Sequence, residues 1–210
     1  MNGNYTPAFR EELLDLMRWR RDVRRFRSDP VEADVMDRCL RAFRLAPSVG
    51  LSEPWRLITV TSATARASCL ENFQIENSRA LGGYCGEKAK LYADLKLSGM
   101  VEAPLHLAVF CDDATQKGAG LGATSMPETR AYSVVSAIMQ FWLSARAEGL
   151  GVGWVSILDP TRLIRDLAVP GDWRLIGYLC IGWPESEGTT PELERAGWEN
   201  RAGALWMESR

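Results

Sequence analysis

Arg20-Arg21-Asp22-Val23-Arg24-Arg25 sets four guanidiniums around one carboxylate. Arginine's planar fork pairs bidentately with phosphate. At a helix end, Arg20 and Arg24 would lie one turn apart, with Arg21 beside Arg24 at i+3. Cations converging there repel one another unless an anion joins them, and a phosphate is a suitable counter-ion. Each charge-assisted hydrogen bond typically contributes roughly 1.5–3 kcal/mol. The run equally fits a solvated basic face or a nucleic-acid contact. Asp22 also has two readings. It is a base or proton relay close to a phosphate-bearing ligand, or an acid that balances the cluster.

Three other stretches carry chemistry-bearing patterns. Ala46-Pro47-Ser48-Val49-Gly50-Leu51-Ser52-Glu53-Pro54-Trp55 ends a helix at a proline and leads through a polar loop into a strand. Loops placed this way have free backbone donors and often touch ligands, although an ordinary connection reads the same way. Gly149-Leu150-Gly151-Val152-Gly153-Trp154-Val155-Ser156 has glycines that permit close backbone approach, with Ser156 near the strand's end. Ser156 lacks the G-x-S-x-G setting of a hydrolase nucleophile. The lone histidine, His106, sits inside an apolar run and is assigned no role, so serine-hydrolase chemistry is set aside. Gly118 to Ala123 formally matches G-x-G-x-x-A. The βαβ context of a dinucleotide site is missing, and the stretch reads as a flexible loop.

The elements that must position these residues follow from periodicity and capping. Ala8–Trp19 reads as a helix with Leu13, Leu16 and Met17 in register. Asp29-Pro30 reads as the cap and first turn of a second helix, with Val35, Cys39, Leu40 and Phe43 as its buried stripe and Pro47 as its end. Trp55–Thr61 reads as a strand. Thr64–Arg79 reads as a helix that Gly82-Gly83 breaks. Gly86–Met100 reads as a polar cover helix. Ala103–Cys111 is an apolar run of strand length, and Asp112–Pro127 a Gly-rich loop. Glu128–Glu148 reads as the longest helix, with Val135, Ile138, Met139, Trp142 and Ala145 aligned. Gly151–Leu158 and Trp173–Trp183 read as strands, with a short helix opening at Asp159-Pro160. The chain turns polar at Pro184, and the division expected is a domain over 1–184 and an arm over 185–210. About four strands and six helices without regular βαβ alternation point to an α+β domain.

The 210 residues suit one domain with an arm. Hydrophobic residues at 46% and charged residues at 25% describe an ordinary globular chain. A formal net charge of -2 directs the molecule to neither nucleic acid nor an anionic membrane. The five cysteines, with no C-x-x-C pair, read as reduced thiols of a cytoplasmic protein and give no metal site. Met1 to Arg10 has no apolar signal-peptide region. No apolar run is long enough for a membrane span.

Read together, the stretches resemble the nitroreductase superfamily: Arg20–Arg24 its Arg-Arg-x-x-Arg signature, and Ala46–Trp55 its Ala-Pro-Ser loop followed by Pro-Trp. Within it they are most similar to the flavin-consuming branch that makes 5,6-dimethylbenzimidazole. That branch carries Arg-Arg-Asp-Val-Arg, Ala-Pro-Ser-Val-Gly, Leu-Lys-Leu-x-Gly, Ala-Arg-Ala-Glu-Gly-x-Gly-Val-Gly-Trp-Val-Ser-Ile, Pro-Glu-Leu and Gly-Trp. Here these are Arg20–Arg24, Ala46–Gly50, Leu95–Gly99, Ala145–Ile157, Pro191–Leu193 and Gly197–Trp198. The resemblance runs in order over roughly residues 10 to 201. It implies a mixed sheet flanked by helices, in an intertwined homodimer whose C-terminal arms are exchanged and whose two FMN sites lie at the interface. It implies that Arg20, Arg21 and Arg24, with Arg201, hold the phosphate and ribityl chain, and that Pro47 and Ser48 touch the isoalloxazine. Lys96 and Leu97 on the cover helix close the site, and Val23 and Ile157 complete the flavin contacts. Asp22 and Ser156 are the catalytic pair it implies. The implied reaction consumes reduced FMN and O2, turns the ribityl C1′ into C2 of dimethylbenzimidazole, and releases erythrose 4-phosphate. The product is the lower ligand of vitamin B12. Such an enzyme needs a flavin reductase or another source of reduced FMN. The rival on the same fold is an NAD(P)H-dependent nitroreductase or flavin reductase. One departure stands out: Glu53-Pro54-Trp55 replaces the Gln-Pro-Trp often found there.

Overall fold

A computed structural model describes residues 4–210. Met1 to Gly3, part of the polar opening stretch, lie outside the described residues. Helix α1, Pro7–Trp19, starts where the Thr6 hydroxyl accepts from Phe9 N–H at 3.1 Å and Pro7 takes the first turn. None of its residues is buried, and Phe9, Leu13, Leu14 and Met17 are exposed. Helix α2 is Ala33–Arg44, not a helix opening at Asp29-Pro30. Asp29 pairs with Arg27 at 3.2 Å, and the Pro30 carbonyl accepts from Trp183 Nε1 at 3.1 Å. The local pair occupies the Asp29 carboxylate, and the tertiary bond from Trp183 holds the segment outside the helix, overriding the local cap signal.

Strand β1, Trp55–Thr59, follows a 3-10 turn at Val49–Leu51. Helix α3, Ala63–Leu81, is capped by Ser62 and ends at Gly82, as the glycine pair predicted. Helix α4 is Gly86–Asp94, shorter than expected, because Leu95 turns extended (φ -73°, ψ 131°). Strand β2, Leu105–Asp112, is buried on both faces, which accounts for its near-continuous apolar run. Helix α5, Thr129–Ala147, carries a buried stripe of Val134, Ala137, Ile138, Phe141, Trp142 and Ala145. Val135 and Met139, placed in that stripe by sequence, are exposed. Strand β3, Gly151–Val155, helix α6, Pro160–Asp166, strand β4, Trp173–Gly182, and the single-turn helix α7, Glu192–Arg195, complete the order.

The four strands run β1-β2-β4-β3 with every neighbour antiparallel. The mixed sheet expected is thus antiparallel among its named strands, and parallel pairing appears as a bridge between Asp22 and Val152. Period-two alternation sends Leu107, Val109 and Leu179 to a core under α2 and α5. Ala108, Phe110 and Tyr178 face a second core under α3 and α6. This helix–sheet–helix arrangement is the α+β domain anticipated. Cys39, Cys69, Cys111 and Cys180 lie in these cores as free thiols, and Cys85 is exposed. No helix among the described residues is long and apolar enough to cross a membrane.

The stretch after Pro184 stays against its own chain at first. Glu185 N–H donates to the Arg25 carbonyl at 3.1 Å, Arg146 pairs with Glu187 at 2.7 Å, and Trp198 packs edge-on to Tyr84 and Tyr92. Beyond it Leu205, Trp206 and Met207 are 91%, 86% and 86% exposed.

Candidate functional site

The arginine run begins at a helix end, where Arg20 caps α1 and its N–H donates to the Leu16 carbonyl, but the rest of the run leaves the helix. Helix α1 stops at Trp19, and Arg20 is extended (φ -68°, ψ 112°). The chain then lies along β3, where Val23 N–H donates to the Val152 carbonyl at 3.0 Å. In an extended segment alternate side chains share a side, so Arg20, Asp22 and Arg24 lie together without a helical turn, and Arg21 reaches the same cavity from between them. Two glycines of β3 make the approach possible. A side chain on Gly151 would meet Val23 Cγ2 at 2.8 Å, and one on Gly153 would drive into the Val23 carbonyl. The close backbone approach read from these glycines is therefore made by the arginine segment itself.

Asp22 is clamped at both oxygens. Oδ1 accepts from the Trp154 backbone N–H at 2.9 Å, and Oδ2 accepts from Arg24 Nε at 2.8 Å. Arg24 also donates through Nη1 to the Lys96 carbonyl at 3.2 Å. Arg20 stacks over Trp142 at 4.8 Å. A cavity of about 250 Å³ opens among Arg20, Arg21, Asp22 and Arg24, and the tail closes it with Pro191, Glu192, Leu193 and Arg201.

The cavity's electrostatics ask for an anion. Burial lowers the Arg20 pKa, with Asp22 opposing and Arg201 adding to the effect. The Arg21 pKa is lowered by burial, then by the charges of Arg20 and Arg201. Cations that depress one another's pKa are mutually destabilised. Arg21 Nε is buried and has no hydrogen-bond partner among the described residues. A buried donor left unpaired costs roughly 1–3 kcal/mol, which a phosphate oxygen would recover.

Lys96 and Leu97 are not on the cover helix. They follow it in extended chain, because Gly99 must pass so close to Phe26 that a side chain there would strike its ring. Lys96 Nζ is tied to Glu102 Oε1, and Leu97 packs on the second core. Ser156 is exposed immediately after β3, and Ile157 packs on the second core. Buried Asn72 fixes the turn that follows: its amide nitrogen donates to the Asp159 carbonyl at 2.9 Å and its oxygen accepts from Asp159 N–H at 2.8 Å.

Pro47 and Ser48 do not line the arginine cavity. They lead into β1, at one edge of the sheet, whereas Asp22 docks on β3 at the other. Three strand spacings separate these edges, about 14 Å. The site residues thus form two groups on one chain. Sequence reasoning gave no site role to Glu102 or Trp142, and read Pro191–Leu193 only as a matching motif. Trp142 showed only as a core position in the α5 register, and a Glu102–Lys96 tie has no spacing signature.

Residues 17–183 match the nitroreductase family. A 5,6-dimethylbenzimidazole synthase from Rhodospirillum rubrum is 52% identical over 197 residues, spanning 94% of this chain and 93% of that protein. One from Rhodobacter capsulatus is 47% identical over 203 residues, spanning 97% and 98%. Among solved structures, oxidized iodotyrosine deiodinase bound to FMN and 3-iodo-L-tyrosine superposes with a TM-score of 0.75, covering 94% of this chain and 99% of that one. At 20% identity that likeness speaks for the fold alone.

Proposed function

The chain belongs to the nitroreductase family, in the group of the 5,6-dimethylbenzimidazole synthases, and from that premise we propose that it fragments reduced FMN with O2 to 5,6-dimethylbenzimidazole and erythrose 4-phosphate. The product supplies the lower ligand of vitamin B12. The observation that carries this reading is the arginine cavity: repelling guanidiniums, an unpaired buried Arg21 Nε, and a clamped carboxylate in their midst. An FMN phosphate fits that donor set.

Arg20, Arg21, Arg24 and Arg201 hold the phosphate. Asp22 spends one lone pair of each oxygen on Trp154 and Arg24. The second pair on each remains to take a proton from the ribityl chain as its carbon–carbon bond breaks. Ser156 Oγ stands at the end of β3 and directs the ring end. Val23, Leu97 and Ile157, packed on the second core, would meet the flavin beyond the arginine cavity, and Lys96, held by Glu102, would close the site. When bound, reduced FMN supplies both the electrons that activate O2 and the atoms of the product.

Pro47 and Ser48 reach the isoalloxazine from a second copy of the chain, which unites the two groups of site residues. The homodimer is supported by the exposed apolar faces of α1 (Phe9, Leu13, Met17) and α5 (Tyr132, Val135, Met139). The arm, 185–210, wraps the partner through its exposed Leu205, Trp206 and Met207. A cytoplasmic flavin reductase, or an equivalent source, delivers reduced FMN.

The test is anaerobic mixing with chemically reduced FMN, then air, with products separated and identified by mass. Dimethylbenzimidazole is expected, and it should vanish in Asp22→Asn and Ser156→Ala. Quantitative recovery of oxidised FMN, with rapid NADH or NADPH oxidation, would mean a conventional reductase and return Asp22 to charge balance.

A further inference from the structure

The Gly-rich loop that sequence left as a flexible connection is locked against another loop. Gly50 and Gly118 meet backbone to backbone. A Cβ on Gly50 would lie 2.8 Å from the Leu121 carbonyl oxygen and 3.1 Å from that of Gly118. One on Gly118 would enter the Gly50 carbonyl, and one on Gly122 would lie 2.8 Å from Val49 Cγ2. Lys117 Nζ is ion-paired with Glu53 and balances that carboxylate.

Both loops hold conformations that do not persist unaided. Gly50, Leu51 and Glu53 have φ of 57°, 54° and 42°. Gly118, Ala119, Gly120 and Gly122 have φ of 81°, 49°, 76° and 76°. Left-handed backbone at Leu51, Glu53 and Ala119 persists only where surroundings over-determine it. Here each loop is the other's surroundings. The amides of Ala119, Leu121, Thr124 and Ser125 donate to carbonyls within the same loop, to Gln116, Gly118, Gly120 and Gly122. The Ala119 and Leu121 amides of the formal G-x-G-x-x-A match are therefore already used within the loop.

We propose that loop 117–122 is a buttress that sets the shape of loop 48–53, and that Gly118 is a positioning residue for the ring end of the flavin. Pro47 and Ser48 are then presented to the ring in one fixed geometry. Their shape is also pinned by Ser48 Oγ accepting from Glu53 N–H at 3.1 Å and by Ser133 Oγ accepting from Val49 N–H at 3.0 Å. The inference rests on the proposed flavin reading, but its first readout does not need flavin.

The experiment is hydrogen exchange on the ligand-free chain, followed by flavin titration. Gly118→Ala should speed exchange of the 49–53 amides at least tenfold, with the β2 and β4 amides unchanged. It should weaken FMN and riboflavin alike by about tenfold or more, because the loop serves the ring. Inhibition of FMN binding by inorganic phosphate should keep its constant. Gly171→Ala, where no atom lies within 4 Å, should match wild type. If Gly118→Ala does not fold, Lys117→Gln is read in the same way, with a smaller rise in exchange expected. Unchanged exchange at 49–53 overturns the buttress. Faster exchange with unchanged flavin affinity overturns the positioning role. If wild type itself binds no flavin, the function proposed above fails while the exchange result still decides the buttress.

Discussion

Substituting Gly153 by alanine should undo the docking of the arginine segment on β3. A Cβ there falls well inside the 3.4 Å at which ordinary contact with the Val23 carbonyl begins. Backbone on both sides prevents a cheap side-chain adjustment, so Val23 must retreat by about 1 Å. Two hydrogen bonds span this gap: Val23 N–H to the Val152 carbonyl at 3.0 Å, and Trp154 N–H to Asp22 Oδ1 at 2.9 Å. Stretched toward 4 Å, neither survives. A neutral bond contributes about 1 kcal/mol and one to a carboxylate about 1.5–3, so the loss is roughly 2.5–4 kcal/mol. Urea denaturation should show this as a lower midpoint at unchanged slope. FMN titration should show weakened binding, because Asp22 no longer orients Arg24. Gly171→Ala is the control. Stability within about 0.5 kcal/mol of wild type, with FMN affinity intact, would refute the claim that this glycine is required by close approach.

Three other outcomes are expected. Burial depresses the His106 pKa to about 4, below its ordinary value near 6.5. The folded chain therefore binds fewer protons than the unfolded one between these values. The stability this contributes is complete above about pH 6.5 and falls with pH by about 1.4 kcal/mol per unit until about pH 4. Between pH 7 and 5 wild type should lose about 2 kcal/mol more than His106→Gln in urea melts; equal losses would show that the imidazole does not titrate this way. Asn72→Ala leaves the Asp159 N–H without its partner, while the Asp159 carbonyl keeps the Leu163 N–H at 3.1 Å, and should cost roughly 1–3 kcal/mol, checked by the same melts. Leu13→Glu and Met139→Glu, on exposed apolar faces, should shift sedimentation from dimer to monomer.

What could be read from sequence differed by element for physical reasons. Helix α5 and strand β2 were legible because burial imposes a period, and Ile138, Trp142 and the run Leu107–Cys111 obey it. Val135 and Met139 are apolar without being covered by their own chain, so periodicity alone assigned them to the wrong side. The start of α2 was misread because Trp183, distant in sequence, takes the Pro30 carbonyl. The arginine cluster was identified by residue type, but its geometry was not. Whether Arg20 to Arg24 coil or extend is decided by Val23 meeting two glycines of a strand about 130 residues away in sequence. Lys96 was placed on a helix because its neighbours have helical propensity, while Phe26 and Arg24 draw its segment out straight. The Glu53 carboxylate, unusual in sequence, found Lys117.

The clamp between Asp22, Val23 and β3 has a second consequence. Strand β3 ends the sheet, and an outermost strand with free backbone groups invites pairing with another molecule. The arginine segment covers part of that row, taking the Val152 carbonyl and the Trp154 N–H. The stretch proposed to grip the flavin therefore also shields the protein from strand-to-strand aggregation. A variant that loosens it should lose solubility along with flavin, and flavin supplied during expression should protect against both.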